Sequence, residues 1–184
     1  MNETAARKGD WMQTYTGRQF WPVDPRPDEI FIEDIAHALS LACRYAGHCI
    51  SFYSVAEHSV LVARNLPDHL KLWGLLHDAS EAYLVDVPRP LKPFLSGYRE
   101  LEDRAMEAVC KRFGLDYLAA PFSMPSQVKA IDNRILHDEQ LQNMFPCVAD
   151  WNLVGEPLGV ELQFWSPEQA EREFLAMFAE LANA

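Results

Sequence analysis

Positive charge is what this sequence has least of relative to its opposite. Sixteen Lys and Arg face 27 Asp and Glu, for a formal net charge of -11. A non-specific binder of nucleic-acid polymers or of a membrane surface needs a basic face, so both functions are excluded as expectations. Small anionic substrates are not, because a bound cation can supply positive charge locally. Long hydrophobic runs are also missing, and no stretch is apolar enough to span a bilayer. The polar start, MNETAARKGDW, lacks the apolar core of a secretion signal, so a cytoplasmic location is expected. Cys43, Cys49, Cys110 and Cys147 form no C-x-x-C pair and read as reduced, buried small hydrophobes.

Hydrophobic residues make up 49% of the 184 residues, enough for one folded domain with a sizeable core. Residues 1–31 carry prolines and aromatics without periodicity and read as an irregular arm. From Ile32 the pattern turns helical. "IEDIAHALSLACRYAG" has apolar positions 32, 35, 36, 39 and 42, with Gly47 as its stop. Ser54 and Glu57 form a capping-box pair ahead of a second helix. A third runs from Pro67 to about Leu84, where Pro88 and Pro90 enforce a break. "GYRELEDRAMEAVCKRFG" and residues 126–143 give two more helices. Residues 144–165 read as a loop with a short strand at "VELQFW". Ser166, Pro167 and Gln169 then open a last helix to about Leu181. The expectation is a single all-α domain over 1–184: an arm (1–31), a helical core (32–143), and a loop with a C-terminal helix (144–184).

Titratable residues interrupt three of the apolar stripes. His58 shares a stripe with Val55 and Val62. His77 and Glu81 lie on one face with Trp73 and Leu84. Asp132 lies among Val128, Ile131 and Ile135. A buried charge is costly unless paired or metal-bound. If the stripes face one core, His58, His77, Asp78 and Asp132 converge as two imidazoles and two carboxylates, a good divalent-cation set. His77 and Asp78 diverge by about 100° on a helix, so they share an ion only if it sits beside the helix between them. Taken singly, each has a plainer reading: a hydrogen-bonded core histidine, a cap, or, for Asp86, a turn former.

The spacing of these residues, with "SVAEHS" around His58 and "HDASEAYLVDVPRPLK" from His77 to Lys92, resembles the HD-domain metal-dependent phosphohydrolases, and among them the bacterial 5′-deoxynucleotidases. "TYTGRQFWPVDPRPDEIFIEDIAHALSLACRYAGHC" resembles a narrower branch from phages and prophages. That branch includes dATP triphosphohydrolases, which remove dATP in viruses that replace adenine with 2-aminoadenine. The resemblance covers the body to about residue 143 and implies a compact HD-type helical bundle. It implies metal ligation by His58, His77, Asp78 and Asp132, catalytic roles for Glu81 and Asp86, and a phosphate contact for Arg44. The ion would be Mn²⁺, Co²⁺, Zn²⁺ or Mg²⁺, with further Mg²⁺ on a phosphate tail. The substrate would be a deoxynucleotide, and the assembly a homo-oligomer.

Other residues remain open at this level. Arg44 is otherwise an ion-pair residue, and its spacing from His37 places both on one helix face. His37 reads best as structural. Lys92 reaches an anionic tail or stays solvated. Phe20 or Trp21 stacks on a base or packs the arm onto the body.

Overall fold

A computed structural model describes residues 6–116 and 124–182. The fold is all-α, as the periodicity predicts. Its helices are α1 (Ile32–Leu41), α2 (Val55–Arg64), α3 (Asp68–Leu76), α4 (Glu81–Leu84), α5 (Tyr98–Phe113), α6 (Ser126–Asn143) and α7 (Pro167–Ala182). Helix α2 is the central element. Every residue from Val55 to Ala63 is buried, because α1, α3, α6 and α7 pack around it. A helix enclosed on all sides can be apolar all round. The polar residues it does carry, Glu57, His58 and Ser59, therefore sit in the interior.

The boundaries of α5 and α6 match their sequence signals. Gly114 ends α5 in the left-handed conformation at φ 68°, the usual glycine stop. Helix α2 begins at Ser54, whose hydroxyl accepts the Glu57 N–H at 3.0 Å. The other half of the expected capping box is replaced. The Glu57 carboxylate accepts the backbone N–H groups of Gln163, Phe164 and Trp165 at 2.7, 3.0 and 2.8 Å.

Those bonds explain why "VELQFW" is not a strand. Its donors are taken by side chains: Gln142 accepts from Leu162 at 3.0 Å and Glu57 takes the next three. With the N–H groups of residues 162–165 satisfied in this way, that stretch needs no sheet partner. Asp138 fastens the preceding stretch the same way, accepting from Leu158 and Gly159 at 2.8 and 3.0 Å. Buried acids of α2 and α6 thus pin residues 158–165 against the bundle.

Two expected helices are shorter. Helix α1 stops at Leu41 rather than near Gly47. The chain instead makes a tight turn in which Tyr45, Ala46 and Gly47 all take positive φ. His37 and Arg44 are therefore not on one helix face. The third helix is also interrupted. Turns with Ala79 N–H on the Leu76 carbonyl and Glu81 N–H on the Asp78 carbonyl separate α3 from α4.

The arm is more ordered than its composition suggests. A two-residue ladder joins β1 (Met12–Gln13) to β2 (Gln19–Phe20) around Gly17. Asp34 of α1 accepts from both the Thr16 N–H and hydroxyl, at 2.7 and 3.1 Å. Phe20 is fully buried and stacks on Tyr83 at 4.0 Å between ring centroids. It is a core residue, and the base-stacking alternative fails for it. Among the described residues, no helix is long and apolar enough to cross a membrane.

Candidate metal centre

Three elements deliver the candidate ligands. His58 comes from the enclosed face of α2, His77 and Asp78 from the break between α3 and α4, and Asp132 from the inner stripe of α6. Their atoms converge. His58 Nε2 lies 3.3 Å from His77 Nε2 and 3.4 Å from Asp132 Oδ1. Asp78 Oδ2 is 3.2 Å from His77 Nε2 and 3.7 Å from His58 Nε2. His77 Nε2 and Asp132 Oδ1 are 3.8 Å apart. Donor atoms at bonds of about 2.1 Å from one ion stand about 3.0–3.5 Å from each other, so His58, His77 and Asp132 fit a single cation, while Asp78 approaches the two imidazoles but stands outside that mutually close set.

The protonation of the rings follows from their outer contacts. His58 Nδ1 lies 2.7 Å from Glu139 Oε1 and His77 Nδ1 lies 2.7 Å from the Gly74 carbonyl oxygen. An ionised carboxylate and a carbonyl only accept, so each Nδ1 carries the hydrogen. In the neutral rings both Nε2 lone pairs then point at one another and at two carboxylate oxygens. Electron-rich atoms brought this close need a positive charge among them. This outer bonding is also the arrangement that orients metal-ligating histidines.

The electrostatics agree. Burial works against a charged His77, but Asp78 and Asp132 outweigh it and hold its pKa well above the ordinary imidazole value. Burial likewise opposes ionisation of Asp78 and Asp132, yet the histidines pull both well below the usual carboxylate range. The cluster stabilises positive charge.

Beside this set lie the remaining acids. Glu81 is 8% exposed in its side chain, and its Oε2 is buried without a hydrogen-bond partner. Burial, then Asp78 and Asp86, push its pKa well up, against Lys92 and Arg44. Asp86 is raised by burial and by Asp78, with Arg44 and Lys92 acting in opposition. It follows Val85, which holds φ 70° and ψ 148°, a combination costly for a β-branched residue. The Tyr98 hydroxyl donates to the Val85 carbonyl at 2.9 Å and fixes that bend.

Arg44 belongs to the same region but is engaged. It is buried, its Nη2 donates to Glu139 at 3.0 Å and its Nη1 lies 3.8 Å from Asp78. It is an internal ion-pair residue at the edge of the ligand set. Lys92 donates to Glu102 at 2.7 Å and stands 3.7 Å from Glu81. Trp21 lies in the arm with the Arg7 guanidinium 3.9 Å from its ring centroid, so one face is covered. His37 stacks on Tyr15 and pairs with Glu171 at 3.0 Å, a structural role.

The residue that sequence reasoning passed over is Glu139. Fully buried, it accepts from Arg44, Tyr45, Tyr53 and His58 together. Burial opposes its charge, but Arg44 and His58 bring its pKa down to about 2. The signal was available: position 139 continues the 128–132–135 stripe by one more turn. Arg89 and Lys129 were also unflagged. They lie 4.0 and 2.8 Å from Asp132 Oδ2, the oxygen turned away from the histidines.

No protein-family model matches the chain. It is 38% identical to YfdR of Escherichia coli K12, an uncharacterized protein, over 71% of this chain and 70% of the relative. It is 36% identical to the uncharacterized protein RCAP_rcc00048 of Rhodobacter capsulatus over 92% of this chain and 94% of the relative. At this identity and coverage, the chain belongs to the family of YfdR and RCAP_rcc00048.

Proposed function

We propose that this protein is a divalent-metal-dependent phosphohydrolase of the HD-domain type that acts on deoxynucleotides, with dATP or another dNTP as substrate. The observation that carries the metal is the convergence of the His58 and His77 Nε2 atoms with an Asp132 oxygen at 3.3–3.8 Å, with an Asp78 oxygen 3.2 and 3.7 Å from the two rings and each ring anchored from behind. The motifs around His58 and from His77 to Lys92 favour phosphate chemistry. The arm's likeness to the phage-type branch favours a triphosphate.

A divalent cation held by His58, His77, Asp78 and Asp132 would supply Lewis acidity to a phosphate oxygen and acidity to a water. Glu81 is the best-placed proton carrier. Its raised pKa and partnerless oxygen suit it to take a proton from water or return one to the leaving oxygen. Asp86 shares that task or holds further Mg²⁺ on a phosphate tail. Arg44 fixes Asp78 and Glu139 and brings cationic charge close to the phosphate. Arg89, 63% exposed in its side chain, and Lys92 offset anionic charge beside Asp132 and Glu81.

Incubation of the purified protein with dAMP, dATP and dGTP in the presence of Mn²⁺ or Co²⁺, followed by product separation, tests this. Release of triphosphate from dATP is the expected result. Phosphate from dAMP with none from dATP would replace the triphosphate reading by a 5′-deoxynucleotidase. Binding without turnover of any substrate would leave a nucleotide-sensing module. The buried, partnerless Glu81 oxygen argues for an enzyme, since a binding module needs no such acid beside its ion.

A further inference from the structure

Two thiols expected to be buried hydrophobes are instead half-buried neighbours beside an exposed turn. Cys43 and Cys49 are both half-buried, with their sulfurs 3.5 Å apart. They bracket the turn of Tyr45 (φ 57°), Ala46 (φ 51°) and Gly47 (φ 79°). Three successive left-handed residues, two with side chains, form a costly backbone. It persists because its ends are tied. Arg44 N–H bonds the Tyr53 carbonyl at 2.9 Å, and the Arg44 and Tyr45 side chains both reach Glu139. The tip, Ala46 to His48, is exposed.

We propose that Cys43 and Cys49 are a reversible disulfide-forming pair that locks the turn carrying Arg44 and Tyr45 onto Glu139. A disulfide needs about 2.05 Å between sulfurs, so the pair has about 1.5 Å to close, and the exposed tip leaves the turn room to shift. The oxidant is hydrogen peroxide. One thiolate attacks a peroxide oxygen, the O–O bond breaks, and a sulfenic acid and a hydroxide form, the hydroxide taking up a proton to become water. The second thiol attacks that sulfur, the S–S bond forms, the S–O bond breaks and a second water leaves. The pair gives up two electrons and the peroxide takes them. A dithiol reverses the step by exchange. Nothing in this chemistry depends on what the protein hydrolyses.

The test uses the full chain, treated with hydrogen peroxide at pH 8.5, because burial and Cys43 raise the pKa of the Cys49 thiol. Alkylation and peptide mapping follow. The expected product is an intramolecular Cys43–Cys49 link that dithiothreitol removes. It is lost in both Cys43→Ser and Cys49→Ser and retained in Cys147→Ser. The linked protein melts at a higher temperature than the reduced one. Separate oxidation of the two sulfurs, or bonds only between Cys147 of different copies, would overturn the proposal.

Discussion

His58 donates its Nδ1 hydrogen to Glu139 at 2.7 Å, and both side chains are completely buried. Glu139 touches none of the other three candidate ligands by any bond described above. It nevertheless decides which nitrogen of His58 faces the site, and it neutralises Arg44 beside Asp78.

Glu139→Ala removes the acceptor from four donors at once. It leaves Arg44 as an uncompensated buried charge, so stability falls by about 3–5 kcal/mol in chemical denaturation. Glu139→Gln keeps the shape and loses the charge. If it folds, metal titration shows about 10–100-fold weaker affinity, the usual effect of losing such an outer partner. Unchanged affinity in the glutamine variant would show that Glu139 acts on folding alone.

Glu81→Gln separates stability from turnover. The Glu81 carboxyl is protonated more readily in the folded chain than in the unfolded one. A raised pKa favours the folded state below the unfolded value of about 4.3, and that contribution is lost as pH rises through the folded value. At neutral pH the ionised form is therefore a liability in the metal-free protein. The variant is more stable there by about 1 kcal/mol, and its advantage disappears below about pH 4. Turnover falls by about 10²–10⁴-fold. A stability advantage over wild type that is no larger at pH 7 than at pH 4 would contradict the assignment.

Val85→Gly tests the strained bend before Asp86. Val85 is 69% exposed, so little packing is lost, and glycine accepts its φ of 70° without a Cβ penalty. Relief of about 1–3 kcal/mol of strain outweighs the extra unfolded-state freedom, and the melting temperature holds or rises. A clear drop would mean that the side chain contributes packing that its exposure conceals.

Gly74→Ala probes the crossing of α2 and α3. A Cβ there meets the Leu66 side chain at 2.4 Å and the Ala63 Cα at 3.0 Å. Leu66 can move; the α2 backbone cannot easily do so. Overpacking costs about 1–3 kcal/mol, and it displaces the carbonyl that anchors His77. Weaker metal binding should accompany the lost stability. Wild-type behaviour in both measurements would show that the helices part without cost.

Much of this was readable from the chain alone. The stripe on α6 placed Asp132 inward because a 3.6-residue period has one apolar side to offer there, whereas α2 is buried all round, so His58 is interior with its neighbours on every side. The ends of α5 and α6 were marked by glycine and by the Met-Pro-Ser turn. What escaped depended on partners far along the chain. Nothing local reveals that Glu57 will abandon its own helix terminus for the N–H groups of residues 163–165, or that Glu139 will gather two tyrosines, an arginine and a histidine. The break at His77–Asp78 was also hidden, since "LLHDASEAYL" suits a continuous helix. The observed interruption brings two adjacent side chains to 3.2 Å.

The most direct measurement is titration of chelator-treated protein with Mn²⁺, beside His58→Ala and Asp132→Ala variants shown to be folded by circular dichroism. The account predicts a tight site in the wild type, and its loss in each variant despite an intact fold. Absence of any bound ion in the wild type, or binding that survives both substitutions, would contradict it.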